Sequence, residues 1–90
     1  MYDIDKIIKE RGNNYGDYMG NVVVRSGIMR LVKDRYFEVH NSDIEPIEEA
    51  FIYDIVNKLA RIAASPHHID SWVDIIGYSK LVLKELEREA

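Results

Sequence analysis

Apolar residues recur at intervals of three and four along most of the chain, a spacing that is typical of amphipathic helices. The repeat predicts four helices, over residues 3–11, 22–39, 45–64 and 69–89. Residues 12–21 contain three glycines and three asparagines, so we expect a loop between the first two helices. The fold class predicted is all-α, a small four-helix bundle built on a C-terminal antiparallel helix hairpin.

The length and composition predict a single helical domain over residues 1–90. A domain of this size buries only about 60–65 % of the surface that its unfolded chain exposes, so a homo-oligomer is expected. The chain has no cysteine, which excludes disulfides and thiolate zinc sites. Its net charge of −4 argues against a nucleic acid polymer as partner. The N-terminal segment has neither a signal peptide's apolar run nor a membrane span, so we expect a cytoplasmic protein without a membrane partner.

Polar residues face each other across the predicted hairpin. In an antiparallel pair of helices, facing residues have position numbers with a nearly constant sum, here 131 or 132 for a turn at residues 65 and 66. This register predicts three polar layers, which pair Arg61 with Asp70, Lys58 with Asp74, and Asp54 with Tyr78.

The predicted layers have two interpretations. They form a ladder of structural salt bridges, each worth about 0–1 kcal/mol when exposed. Alternatively, Lys58 and Arg61 hold the phosphates of a ligand, while Asp70 and Asp74 orient the two cations or accept hydrogen bonds from ligand hydroxyls. Both interpretations hold together if the ion pairs open toward a ligand. Tyr15 in the predicted loop is a second candidate, because its ring could stack on a base.

Two blocks of the chain resemble a family of small phage-encoded proteins of uncharacterised function. Residues 10–17 read ERGNNYGD, residues 58–62 read KLARI and residues 70–78 read DSWVDIIGY, which match the patterns ERGxxYGD and KxxRI…DSWxDIxGY. The resemblance implies a phage origin, hence the host cytoplasm, and a site that joins the two blocks. The ligand-binding residues expected on this basis are Arg11, Tyr15, Asp17, Lys58, Arg61, Asp70, Asp74 and Tyr78.

More distantly, the hairpin is similar to the all-α nucleotide pyrophosphohydrolases of the MazG type, which hold magnesium with E-x-x-E and E-x-x-D. This chain departs from that pattern, since Asp54 is followed by Lys58 and the pair Asp70 and Asp74 has another spacing. Replacing an acid by a lysine, which cannot bind a metal while charged, favours nucleotide binding without cleavage.

These considerations predict a phage protein that binds and sequesters a small nucleotide-derived ligand, without catalysis and without a cofactor. A host immune signal, of the cyclic ADP-ribose or cyclic oligonucleotide type, is the expected ligand. The alternative is a magnesium-dependent pyrophosphohydrolase acting on a non-standard nucleotide, with Asp54, Asp70 and Asp74 as metal ligands. A helical adaptor that binds a host protein is a third possibility, which would leave the polar layers without a role.

Overall fold

The computed structural model describes residues 3–6 and 15–89, and for residues 15–17 the backbone alone. Residues 4–6 are helical, and three long helices follow: α1 (Tyr15–His40), α2 (Pro46–Ala64) and α3 (Ile69–Glu89). The described ranges contain no strand, so the predicted all-α class is confirmed. Of the predicted first helix, residues 7–11 lie outside the described part.

Helix α1 begins earlier than its sequence suggests. A loop was expected over residues 12–21, but the chain is helical from Tyr15 onward, so that prediction is wrong for residues 15–21. Each glycine in this stretch costs about 1 kcal/mol relative to alanine. Extending a helix that already exists adds one backbone hydrogen bond per residue, whereas only nucleation is unfavourable. Tyr18 also lies within 5.8 Å of the Arg25 guanidinium, which ties this extension to the rest of the helix.

The connection between α1 and α2 is a tight turn over residues 41–45. Asn41 adopts a positive φ of 54° and its N–H donates to the Phe37 carbonyl at 2.7 Å, which ends α1. Asparagine tolerates this left-handed conformation better than other side chains with a Cβ. Ile44 is buried in the turn, and Pro46 starts α2 at the position where a missing N–H costs nothing.

A second turn joins α2 to α3 and forms the predicted hairpin. The Trp72 indole N–H donates to the Pro66 carbonyl at 2.9 Å, so the first turn of α3 holds the connection in place. Ser71 is almost fully buried, and its hydroxyl lies 2.8 Å from Nδ1 of His68. This contact with Ser71 gives His68 a structural role at the start of α3.

Helix α2 packs against α1 on one side and against α3 on the other, whereas no Cα atom of α1 lies within 8 Å of a Cα atom of α3. The described helices therefore form one layer with α2 in the middle. The buried apolar side chains of the described part of the chain are Met29, Ile44, Val56 and Ala60. Because a single layer has two broad faces, the side chains on each face decide what the molecule can bind.

Candidate functional site

The hairpin pair predicted from the register is present. Lys58 Nζ lies 3.0 Å from Asp74 Oδ2, and the Lys58 side chain is only 13 % exposed whereas that of Asp74 is 45 % exposed. A lysine with so little access to water depends on this carboxylate to satisfy its charge. The open side of Asp74 leaves the pair accessible to a competing anion.

The other two predicted pairs are not formed. Within the described part of the chain, Arg61 forms no ion pair with Asp70, and Asp54 forms no hydrogen bond with Tyr78. Arg61 is half-buried on α2, while Asp70 is exposed in the first turn of α3. The hairpin thus carries one closed ion pair next to an arginine that has no carboxylate partner among the described residues.

A groove between α1 and α2 lies beside the hairpin. Arg25 reaches across it, donating to Asn57 Oδ1 at 3.1 Å, and its guanidinium lies 5.9 Å from the centre of the Tyr53 ring. Together with the Tyr18 ring on the same cation, this arrangement holds the arginine between two aromatic side chains. The groove has a volume of about 640 Å³ and is lined by Val22, Arg25, Ser26, Met29, Arg30, Lys33, Asp34, Glu49 and Tyr53.

The charges in the groove are mostly balanced. Lys33 Nζ lies 3.3 Å from Glu49 Oε1, which links the two helices at the far end of the groove. Arg30 and Asp34, one turn apart on α1, approach to 3.9 Å with both side chains largely exposed, so this pair contributes little to stability. Three cations against two acids leave the groove with a small positive excess.

The groove and the hairpin pair share one face of the layer. Asn57 and Arg61 are one turn apart on α2, so they line the same side of that helix, with Lys58 next to Asn57. Helical spacing places Asp70 and Asp74 on the corresponding side of α3. We call this surface the polar face; its members are Arg25, Lys33, Tyr53, Asn57, Lys58, Arg61, Asp70 and Asp74.

One end of the polar face lies beside two helix N-termini. Arg25 with Asn57 and Lys33 with Glu49 give position numbers that add up to 82 in each pair, which places Tyr18 level with Ala64. The start of α1 therefore lies at the same end of the layer as Arg61 and the start of α3. Tyr15 and Asp17 belong to the first turn of α1 and not to a loop, as the sequence had suggested. Their side chains, and all of Arg11, lie outside the described part.

Gly77 occupies an open position on α3, three residues after Asp74. A Cβ built there would meet nothing within 4 Å. We expect Gly77→Ala to raise the free energy of unfolding by about 1 kcal/mol, because alanine is the better helix former. Gly27, equally open on α1, is the matched control, and Gly27→Ala should give a similar gain in urea titrations. A loss of stability in Gly77→Ala alone would mean that another group packs on this backbone.

The carboxylates on the hairpin do not converge as magnesium ligands. Asp54 and Asp70 are exposed, and Asp74 is engaged by Lys58. Among the side chains of residues 3–6 and 18–89, no group of three or more acidic or histidine residues is placed to hold a metal ion. Asp54, Asp70 and Asp74, the metal ligands of the pyrophosphohydrolase alternative, are therefore not grouped into a metal site.

Sequence reasoning missed the residues that line the groove. Arg25 and Tyr53 were not among the predicted site residues, and the contact of Arg25 with Asn57 was not anticipated. The signal was available, since the register rule that paired Lys58 with Asp74 also applies to a turn centred on Asn41. That rule would have paired Arg25 with Asn57 and Lys33 with Glu49.

Comparison with known families gives a match over most of the chain. The model of a family described as a domain of unknown function, DUF6378, matches residues 3–86. The chain belongs to the DUF6378 family. The match includes every residue of the polar face, so the candidate site of this DUF6378 protein lies inside the family domain. Searches of curated proteins and of solved structures gave no significant match.

The helices of this DUF6378 domain were also compared with the requirements of a membrane span. Within the described ranges, none combines the length and the apolar character that crossing a bilayer requires.

Proposed function

We propose that the polar face binds a small phosphorylated ligand of the nucleotide type and does not hydrolyse it. The observation that carries this proposal is Arg61, a half-buried cation without a carboxylate partner among the described residues, next to the Lys58–Asp74 pair. The neighbouring groove, at about 640 Å³, falls within the range of small-molecule sites, about 300–1,000 Å³.

Each part of the face has a chemical role in this proposal. Arg61 binds a phosphate through two parallel N–H donors, and Lys58 adds a point charge when the ligand displaces Asp74. The positive ends of α1 and α3, at the same end of the layer, favour an anion there. Tyr53, which is 40 % exposed, offers a flat ring on which a base can stack.

Binding is favoured over hydrolysis by the placement of the acids. Magnesium-dependent phosphoryl chemistry needs several carboxylates that converge on the metal. On this face Asp74 is paired with Lys58, and Asp54 and Asp70 are exposed to water. This placement of the acids favours binding of a phosphate ester over its hydrolysis.

The biological role we propose is sequestration of a host immune signal by a phage protein. This step rests on the resemblance of residues 10–17 and 58–78 to phage-encoded proteins. A small binder that is made in quantity removes a signalling nucleotide by mass action, without turnover. The ligands that fit are compact molecules with two or more phosphates, of the cyclic ADP-ribose or cyclic oligonucleotide type.

The proposal is tested by isothermal titration calorimetry at low ionic strength. The probes are cyclic ADP-ribose, cyclic di-adenylate, ATP and inorganic phosphate, each with and without magnesium. We expect saturable binding of at least one nucleotide, with no dependence on magnesium and much weaker binding of phosphate alone. Absence of binding by the whole panel contradicts the proposal, and heat from continuing turnover in the presence of magnesium supports the pyrophosphohydrolase instead.

Asp74→Asn separates binding from catalysis. The change removes the carboxylate that competes for Lys58, so we expect nucleotide affinity to rise about threefold to tenfold. Stability should fall, because the nearly buried Lys58 loses its counter-charge. Asp43→Asn, an exposed site in the α1–α2 turn, makes the same change of charge and should leave the affinity unaltered. In a magnesium enzyme, the Asp74 change would abolish turnover and leave affinity largely intact.

A further inference from the structure

Helix α3 exposes a continuous apolar stripe to solvent. Ile69, Ile76 and Leu83 are spaced seven residues apart. Trp72 follows Ile69 by three residues and Leu86 follows Leu83 by three, so both occupy the second apolar position of the same heptad repeat. Each of these five side chains is at least half exposed, from 50 % for Trp72 to 74 % for Ile69. A heptad repeat of large apolar residues on one side of a helix is typical of a surface that packs against another helix.

The stripe continues across the layer on the side opposite the polar face. Helical spacing and the contacts of α2 place Leu59 of α2, and Val24 and Leu31 of α1, on this side. Leu31 is 71 % exposed, and Val24 and Leu59 are each more than one-third exposed. We call this surface the apolar face; its members are Val24, Leu31, Leu59, Trp72, Ile76, Leu83 and Leu86.

The described helices expose large apolar side chains that a compact monomer would bury. On the apolar face, Leu31, Ile76 and Leu83 are each more than half exposed. A contiguous apolar surface of this kind marks an interaction site in a soluble protein. Few large apolar side chains are buried among the described residues, so the described helices lack the second layer that normally completes a helical core.

We propose that the apolar face packs against the apolar face of a second copy of this chain, forming a two-layer homodimer. A surface that contains the same apolar patch on both partners satisfies the self-complementarity that two-fold symmetry requires. The exposed large side chains of the patch come from all three helices, and Trp72 supplies the kind of aromatic anchor that dominates interface energetics.

The arrangement leaves the polar faces of both copies on the outside of the dimer. Each copy keeps its groove and its Lys58–Asp74 pair accessible to solvent, together with Arg61, which has no carboxylate partner in the described part of the chain. The dimer proposal therefore does not rest on nucleotide binding, and either can fail without the other.

Two leucines of α3 provide a matched test. Leu83 lies on the apolar face, whereas Leu81 is 59 % exposed and lies about 200° away around the helix. We expect the full chain to sediment at twice the 10.5 kDa chain mass at about 10–100 µM. Leu83→Glu should reduce this to the chain mass with an unchanged helical circular dichroism spectrum. Leu81→Glu should remain a dimer.

A second variant and a fluorescence measurement provide independent tests of the dimer. If Leu83→Glu loses its helicity, Leu31→Glu, on α1, probes the same face, and it too should yield a monomer. Trp72 is the only tryptophan, so its fluorescence should shift to longer wavelength on dilution as the face becomes wet. A wild-type chain that stays monomeric at about 100 µM overturns the proposal. Equal dissociation by the Leu81 and Leu83 changes also overturns it, because the face would then not be specific.

Discussion

Ile44→Ala is expected to lower the free energy of unfolding by about 2–5 kcal/mol. Ile44 is 7 % exposed and is the large side chain that fills the turn between α1 and α2. Truncating it removes buried apolar contacts and leaves a cavity that the tight turn cannot close. Because the layer has few buried apolar residues, this loss is a large fraction of its stability. Urea titration followed by circular dichroism, at a fixed chain concentration, measures the change.

Ile47→Ala is the matched control for this experiment. It makes the same chemical change three residues later, on a side chain that is 69 % exposed. The expected effect is below about 1 kcal/mol, because little apolar area is lost from a buried environment. Equal effects at the two positions would show that Ile44 does not hold α1 against α2, and the single-layer arrangement would then be incorrect.

Arg61→Ala is expected to weaken nucleotide binding by about 10- to 150-fold. A hydrogen bond to a charged group contributes about 1.5–3 kcal/mol, and Arg61 is the cation best placed to form a bidentate contact with phosphate. Its removal should leave the fold intact, since it forms no ion pair among the described residues. Calorimetric titration with the nucleotide that binds the wild-type protein measures the loss.

Arg35→Ala supplies the comparison for Arg61. Arg35 is exposed on α1, away from the polar face, and pairs only with Glu38, also exposed. Removing it changes the net charge by the same amount, so any general electrostatic attraction falls equally in both variants. If Arg35→Ala weakens binding as much as Arg61→Ala, the nucleotide is held by overall charge and not by the polar face.

The helices of this chain could be predicted from its sequence, apart from the beginning of α1. The apolar repeat located α2 and α3 to within a residue, because Pro46 and the Ser65–Pro66 pair mark their ends chemically. The glycines before Val22 gave the opposite signal, since propensity alone cannot account for a helix that extends from an existing one.

The Lys58–Asp74 contact in the hairpin was also predictable. There is a physical reason why the predicted ion pair of Arg61 with Asp70 did not form. The register fixed which residues are level, and Lys58 with Asp74 formed the expected ion pair. Arg61 and Asp70 are level by the same rule but remain apart, because the rule sets height along the helix axis and not the direction of each side chain. The groove required a second application of the rule, to α1 and α2, which brings Arg25 to Asn57.

The least predictable feature was the separation of α1 from α3, which have no Cα atoms within 8 Å of each other. Each apolar stripe predicts that a helix has a buried side, but it does not say whether the covering surface belongs to the same chain. The sequence anticipated an oligomer from the small size of the domain. The exposed stripe on α3 could not be located from the helix register, so the structure was required.

Native mass spectrometry tests the central claim, nucleotide binding without turnover, most directly. The purified chain is incubated with cyclic and linear nucleotides, with and without magnesium, and the mass of the complex and of the released ligand is followed over time. The account predicts an intact nucleotide retained at fixed stoichiometry, in equal amounts with and without the metal. Release of monophosphate or pyrophosphate, or no retained nucleotide at all, would contradict it.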